Sequence, residues 1–215
     1  MTMNKQILIL LIFVPTMLFA QKTQKVTDKK TKETFYVLKS DKKTRHGEYK
    51  KFGYNKLIIK GSYKLGVKEG IWECYDYNGQ LTLKYDYTKN ELVFYKINDR
   101  VKDKKYRVIE NGNKIDTTLS RPPIFLGDDY FIISELNYPT IAQEHGKSGK
   151  VVVLFDIDKF GKTSNYRVEI PIGYGMDEEA VRVIKLTQDD WLPGLLNGQP
   201  VDVEFDYPLT FRIND

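Results

Sequence analysis

The sequence has 215 residues and is short of several residue types on which much protein chemistry depends. It holds one cysteine, Cys74, which excludes an intramolecular disulfide framework and any zinc cluster built on thiolates. Its two histidines, His46 and His145, are far apart and have no ligand types beside them, which argues against a histidine-rich metal site. With 8 prolines and 15 glycines the chain is neither collagen-like nor of low complexity. Long apolar runs are also missing. The longest, Ile7 to Phe19, is interrupted by Pro15 and falls short of the roughly 20 residues that span a bilayer. Lys5 before this run and Ala20-Gln21 after it give the pattern of a secretory signal, residues 1–20, cleaved after Ala20. The alternative is an uncleaved membrane anchor. No cysteine follows the run, so a lipid anchor is excluded.

What is present is 41% apolar and 29% charged residues, the composition of a folded soluble protein. The net charge of +5 conceals a reversal. Residues 21–120 carry 24 Lys and Arg against 13 Asp and Glu, whereas residues 121–215 carry 9 against 16. Two units are therefore expected. An exported protein does not ordinarily meet nucleic acid, so the basic half is read as facing an anionic envelope polymer, or as a solvated lysine-rich surface.

The basic half repeats. His46-Gly47-Glu48-Tyr49 is echoed by Glu69-Gly70-Ile71-Trp72, and Leu57, Ile59, Lys60 and Tyr63 by Leu81, Leu83, Lys84 and Tyr87. Alternating apolar residues and the Asn78-Gly79 pair predict β-hairpins with a type I′ turn over residues 35–115, with a worn third copy from Leu92 through Asn111-Gly112. Ten of the 15 tyrosines lie in residues 21–120, where cross-strand packing and a ligand surface are the two readings. The spacing and the Gly-x-Tyr/Trp openings resemble MORN-type repeats of the YwqK-like kind. Residues 21–34, rich in Lys and Thr, are expected to be disordered.

A linker is expected over 116–123, around Arg121-Pro122-Pro123, followed by a second domain over 124–215. Helices are predicted from Asp128 to Leu136 and from Pro139 to about Glu144. A strand follows over Val151–Asp158, a turn at Asp158–Gly161 and a strand from about Thr163. Met176, Ala180, Val183 and Ile184 form a helical stripe behind an acidic first turn, and Val201–Phe211 reads as the last strand. Pro208 marks a bulge or a sheet edge. The fold class is α+β: a C-terminal three-stranded antiparallel sheet packed with helices, preceded by an all-β repeat of hairpins. Asp156/Asp158 and Asp189/Asp190 are paired carboxylates without a placed base, so no enzyme activity, cofactor or metal is expected.

The run Tyr138-Pro139-x-x-Ala142, Gly149-x-Val151-x-Val153-x-Phe155-x-Ile157-Asp158-x-x-Gly161 resembles the TonB C-terminal domain. So do Gly173-x-Gly175-Met176-Asp177-Glu178-Glu179-Ala180, Trp191-x-Pro193-Gly194, Gly198-Gln199-Pro200-Val201 and Pro208-Leu209-x-Phe211. The resemblance implies a periplasmic domain that takes the box peptide of an outer-membrane TonB-dependent receptor as an added strand. It places the receiving edge at Val203, Glu204, Phe205, Asp206 and Tyr207, with Leu136 and Asn137 close to the peptide. Asp202, Glu204 and Asp206 would select basic peptides or guard the edge against aggregation. A proline at Phe205 is expected to abolish peptide capture by removing an edge donor and distorting the strand. The resemblance also implies inner-membrane partners of the ExbB/ExbD type, although an uncleaved membrane helix and a proline-rich spacer are not evident here. The alternative function is an envelope scaffold that uses the repeats as its main surface.

Overall fold

The computed structural model describes residues 21–213 apart from 54, 77, 97–103, 128–131, 134 and 189. The expected signal segment 1–20 and much of the helix expected over Asp128–Leu136 lie outside the described residues. The protein is mostly β with two short described helices, arranged as two sheets joined by a narrow strap.

The first sheet has seven antiparallel strands: β1 (Thr23–Asp28), β2 (Glu33–Leu38), β3 (Arg45–Gly53), β4 (Lys56–Lys64), β5 (Val67–Tyr75), β6 (Leu81–Asp86) and β7 (Glu91–Tyr95). Each pairs with its neighbours in chain order. Residues 21–34 are therefore not disordered as expected. Most of β1 and its turn fall there, and Val26 pairs with Phe35, so β2 orders a segment whose composition alone would not fold. Tyr49, Ile59, Trp72, Cys74, Leu83 and Tyr85 line one face and are buried. Trp72 is the centre of this face: its ring stacks on Tyr49 at 5.2 Å and meets Tyr63 and Tyr87 edge-on. Gly61 makes room for it, because a Cβ there would lie 2.2 Å from the indole. Packing accounts for most of the described tyrosines in this half.

The Asn78-Gly79 turn differs from expectation. Only Gly79 has a positive φ, and Asp76 accepts from the N–H groups of Asn78 and Gln80, so an Asx-capped turn replaces type I′. The Asp158–Gly161 turn is built the same way, with Asp158 accepting from Phe160 and Lys162. Both residues of Asn111-Gly112 and of Asn197-Gly198 have positive φ. These two pairs close two-residue hairpins.

The second sheet has five strands in the order β12-β11-β16-β8-β9. β11 (Gly149–Ile157), β12 (Thr163–Val168) and β16 (Val203–Phe211) are the three expected. The other two form the hairpin of β8 (Lys105–Glu110) and β9 (Asn113–Thr118), expected as a worn third repeat. The hairpin leaves the repeat sheet because Tyr106 and Val108 bury against Leu119 and Val203. Helices α1 (Thr140–Glu144) and α2 (Met176–Lys185) cover one face. Met176, Ala180, Val183 and Ile184 of α2 meet Val151, Val153, Phe155 and Ile157 of β11 in a core with no exposed atoms on these eight residues.

The strap pairs β10 (Ile124–Phe125) with β13 (Trp191–Leu192). Strand alternation divides it between the two cores. Ile124 and Leu192 face the repeat core, while Phe125 and Trp191 face the C-terminal one. Lys68 of the repeat sheet adds an ion pair to Asp190 at 3.2 Å. Beyond it, β14 (Gly194–Leu196) and β15 (Gln199–Val201) form a small hairpin that bridges to Arg121.

Candidate functional site

β16 is the strand on which the expected site lies. It pairs with β11 along its whole length, from Val203 opposite Ile157 to Phe211 opposite Gly149. Its other side is paired only at Val203 and Glu204, opposite Val108 and Arg107 of β8. From Phe205 to Phe211 that side carries no partner strand among the described residues.

The hydrogen-bonding direction of each residue follows from the ladder. The Ile109 N–H donates to the Asp202 carbonyl at 2.8 Å, which fixes Asp202 as turned toward β8. Alternation turns the C=O groups of Glu204, Asp206, Pro208 and Thr210, and the N–H groups of all but Pro208, the same way. The β11 side agrees, since the Val152 carbonyl accepts from Glu169 beyond β12 and leaves Val153 facing Tyr207. The open side thus presents three carbonyls, at Asp206, Pro208 and Thr210, and two N–H donors. Pro208 costs no bond with β11, because its missing donor is on the open side. Phe205 has its N–H toward β11, so a proline there would distort the strand as expected, by breaking the core ladder, but would remove no donor from the open side.

Side chains on the two faces differ. Phe205, Tyr207, Leu209 and Phe211 point into the core with Phe155 and Trp191. Glu204 lies on the opposite face and is nevertheless buried, because Arg107, Lys114 and Arg167 close over its carboxylate, Arg107 at 2.5 Å. Asp206 holds Lys104 at 2.5 Å. The Lys104 ammonium also lies 5.3 Å from the Tyr106 ring, which stacks on Phe205 at 6.2 Å. Burial pushes the Tyr106 hydroxyl up to about 12, with Tyr95 and Asp206 adding to the effect. It therefore stays neutral at the mouth of the edge.

Leu136 and Asn137 are held by α2. The Asn137 N–H donates to Glu179 at 2.6 Å, and Arg182 donates to Glu179 at 2.7 Å and to the Glu135 carbonyl at 2.6 Å. The hydrogen bonds from Arg182 hold the Glu179 carboxyl below its usual range, against a smaller opposing effect of burial and with help from Asn137. The next residue, Tyr138, meets Phe211 edge-on at 5.8 Å, which places the segment beside the far end of β16. The residues that sequence reasoning missed are Lys104, Tyr106, Arg107 and Lys114, all on or beside the β8–β9 hairpin. Alternation and the Asn111-Gly112 turn announce a hairpin there, but nothing local names its partner strand. Among the described residues no cluster of His, Cys, Asp or Glu is suited to a metal, and no helix is long and apolar enough to cross a membrane.

No curated protein and no solved structure matches the chain. Residues 134–213 do match one family model, the Gram-negative bacterial TonB protein C-terminal. The matched span contains α1, β11, β12, α2 and β16. It excludes the repeat sheet and the β8–β9 hairpin. Over residues 134–213 this chain is therefore similar to the TonB C-terminal domain, a family of transport-coupling domains of the cell envelope.

Proposed function

We propose that this protein works in the periplasm as a TonB-like adaptor that receives an extended segment of an outer-membrane receptor as an added strand on β16. The observation that carries this reading is the open side of β16 from Phe205 onward, beside a fully paired β11. Main-chain groups of Asp206, Pro208 and Thr210 supply the hydrogen bonds, and neighbouring side chains select the sequence. Leu136 and Asn137 stand near the end of the edge as a positioned shoulder. The test is a titration of receptor box peptides into ¹⁵N-labelled protein. Amide shifts are expected at 206–211 and 136–138. Thr210→Pro removes an outward donor and should weaken binding about tenfold. Unchanged affinity in a folded Thr210→Pro protein would exclude this edge.

A second reading rests on the polar face of the repeat sheet. Lys50, Lys60, Glu73 and Lys84 lie in one cross-strand row, through the pairs Lys50–Lys60, Lys60–Glu73 and Glu73–Lys84. In a MORN-like scaffold this row would meet an anionic envelope polymer. Salt-dependent retention on a soluble polyanion, lost in Lys50→Glu/Lys84→Glu, supports it, and retention that ignores both substitutions removes it.

A further inference from the structure

Two of the three carboxylates along β16 are neutralised by cations inside the fold, and the third is hydrogen-bonded to a backbone amide. Asp202 accepts from the Lys159 N–H at 2.7 Å, Glu204 is enclosed by three cations, and Asp206 holds Lys104. With Glu204 and Asp206 spent on internal cations, they have little charge left to draw a basic ligand, which favours the other expected part for these carboxylates, guarding the edge. The cations around the open stretch are in the opposite state. Lys105, Lys150 and Arg212 are exposed and form no ion pair among the described residues. They share the polar face of the sheet. Lys105 is two residues from Arg107, which opposes Glu204; Lys150 opposes Thr210; and Arg212 lies two residues beyond it.

The hairpin limits the length of the site. β8 stops pairing after Glu204, but Tyr106 remains stacked on Phe205, and the Lys104 ammonium sits 5.5 Å from the Phe205 ring. These side chains close the near end of the edge. Tyr138 and Phe211 mark the far end. Between them lie the five residues Asp206–Thr210.

We propose that the segment received on β16 is short and acidic. It covers about five residues opposite Asp206–Thr210 and places carboxylates on the face of Lys105, Lys150 and Arg212, while the β8–β9 hairpin serves as a fixed stop that sets its register. This rests on the strand-addition reading above.

The test uses the whole protein and four peptides: a five-residue extended peptide with alternate Glu, its Gln and Lys counterparts, and a nine-residue extension of the Glu form. Affinity is read by fluorescence anisotropy and the location of binding by amide shifts. The Glu peptide should bind tightest, with a preference that shrinks at high salt. Lys105→Glu/Arg212→Glu should weaken the Glu peptide about fivefold and leave the Gln peptide within about twofold. The longer peptide should gain nothing, and a disulfide from Val108→Cys/Val203→Cys should change nothing. Shifts at 206–211 with equal or tighter binding of the Lys peptide overturn the acidic preference. A gain on lengthening that the disulfide abolishes shows the hairpin to be a movable cover and overturns the stop. No shifts at 206–211 with any peptide overturn the strand-addition reading itself.

Discussion

The two sheets of this protein solve the same problem with opposite wiring. In the repeat sheet every strand pairs with its chain neighbour, from β1 to β7. In the C-terminal sheet the central strand, β16, is the last to be made, and it joins β11 to a hairpin that precedes β11 by about 40 residues. The first sheet is a sum of local hairpins. The second is a non-local assembly in which one strand must find two partners, and its ordering entropy is repaid only when both are in place. Functional potential follows the same division. A meander exposes only its two outermost strands, whereas among the described residues the incomplete pairing of β16 leaves a main-chain edge open within the sheet itself.

The largest expected effect falls on the local sheet. Trp72→Ala removes the ring around which Tyr49, Tyr63 and Tyr87 are arranged and should cost about 3–5 kcal/mol, measured by chemical denaturation. Amide exchange in β11 and α2 should remain slow if the two cores are separate cooperative units. Loss of protection in both together would show that the strap makes them one.

Breaking the non-local sheet needs a charge and not a ring. Glu204→Gln leaves Arg107, Lys114 and Arg167 around a neutral group and should destabilise by about 3 kcal/mol. Protection should be lost first in β8 and β9, which are held to β16 by a short ladder, the small Tyr106–Val203 cluster and the Tyr106–Phe205 stack. Uniform loss across β11 and β12 would mean that Glu204 supports the whole sheet.

The smallest effect sharpens the contrast through pH. Partial burial of Glu73 raises its carboxyl, but hydrogen bonds from Lys60, Lys84 and Tyr75 outweigh this and hold it at about 2. Because the folded value lies below the ordinary 4.5, its contribution is fully present above that pH. It fades as the solution is acidified toward 2. Acid should therefore loosen the repeat sheet through this group. Glu73→Gln should flatten the stability profile between about pH 4.5 and 2. An unchanged profile would assign the acid sensitivity to other carboxylates.

Much of this was legible residue by residue. Val151–Asp158, the stripe of Met176, Ala180, Val183 and Ile184, and the repeated Gly-x-Tyr/Trp openings predict β11, α2 and the hairpins, because alternation and helical spacing are local properties. The edge was legible as a strand, Val203–Tyr207, but not as an edge of limited length. Composition misled at residues 21–34, where a polar segment becomes a strand because β2 supplies its partner.

By itself, then, the sequence determined most of the elements, several of the turns and the family resemblance of the C-terminal unit, since these depend on neighbours within a few positions. Tertiary structure alone decided where the β8–β9 hairpin goes, which side of β16 stays open, and that Glu204 and Asp206 are spent on internal cations. Those outcomes depend on pairing between segments about 90 residues apart, as in Lys114 with Glu204. A strand's hydrogen-bonding edges are identical until a partner takes one of them, so nothing local could show which would be left free.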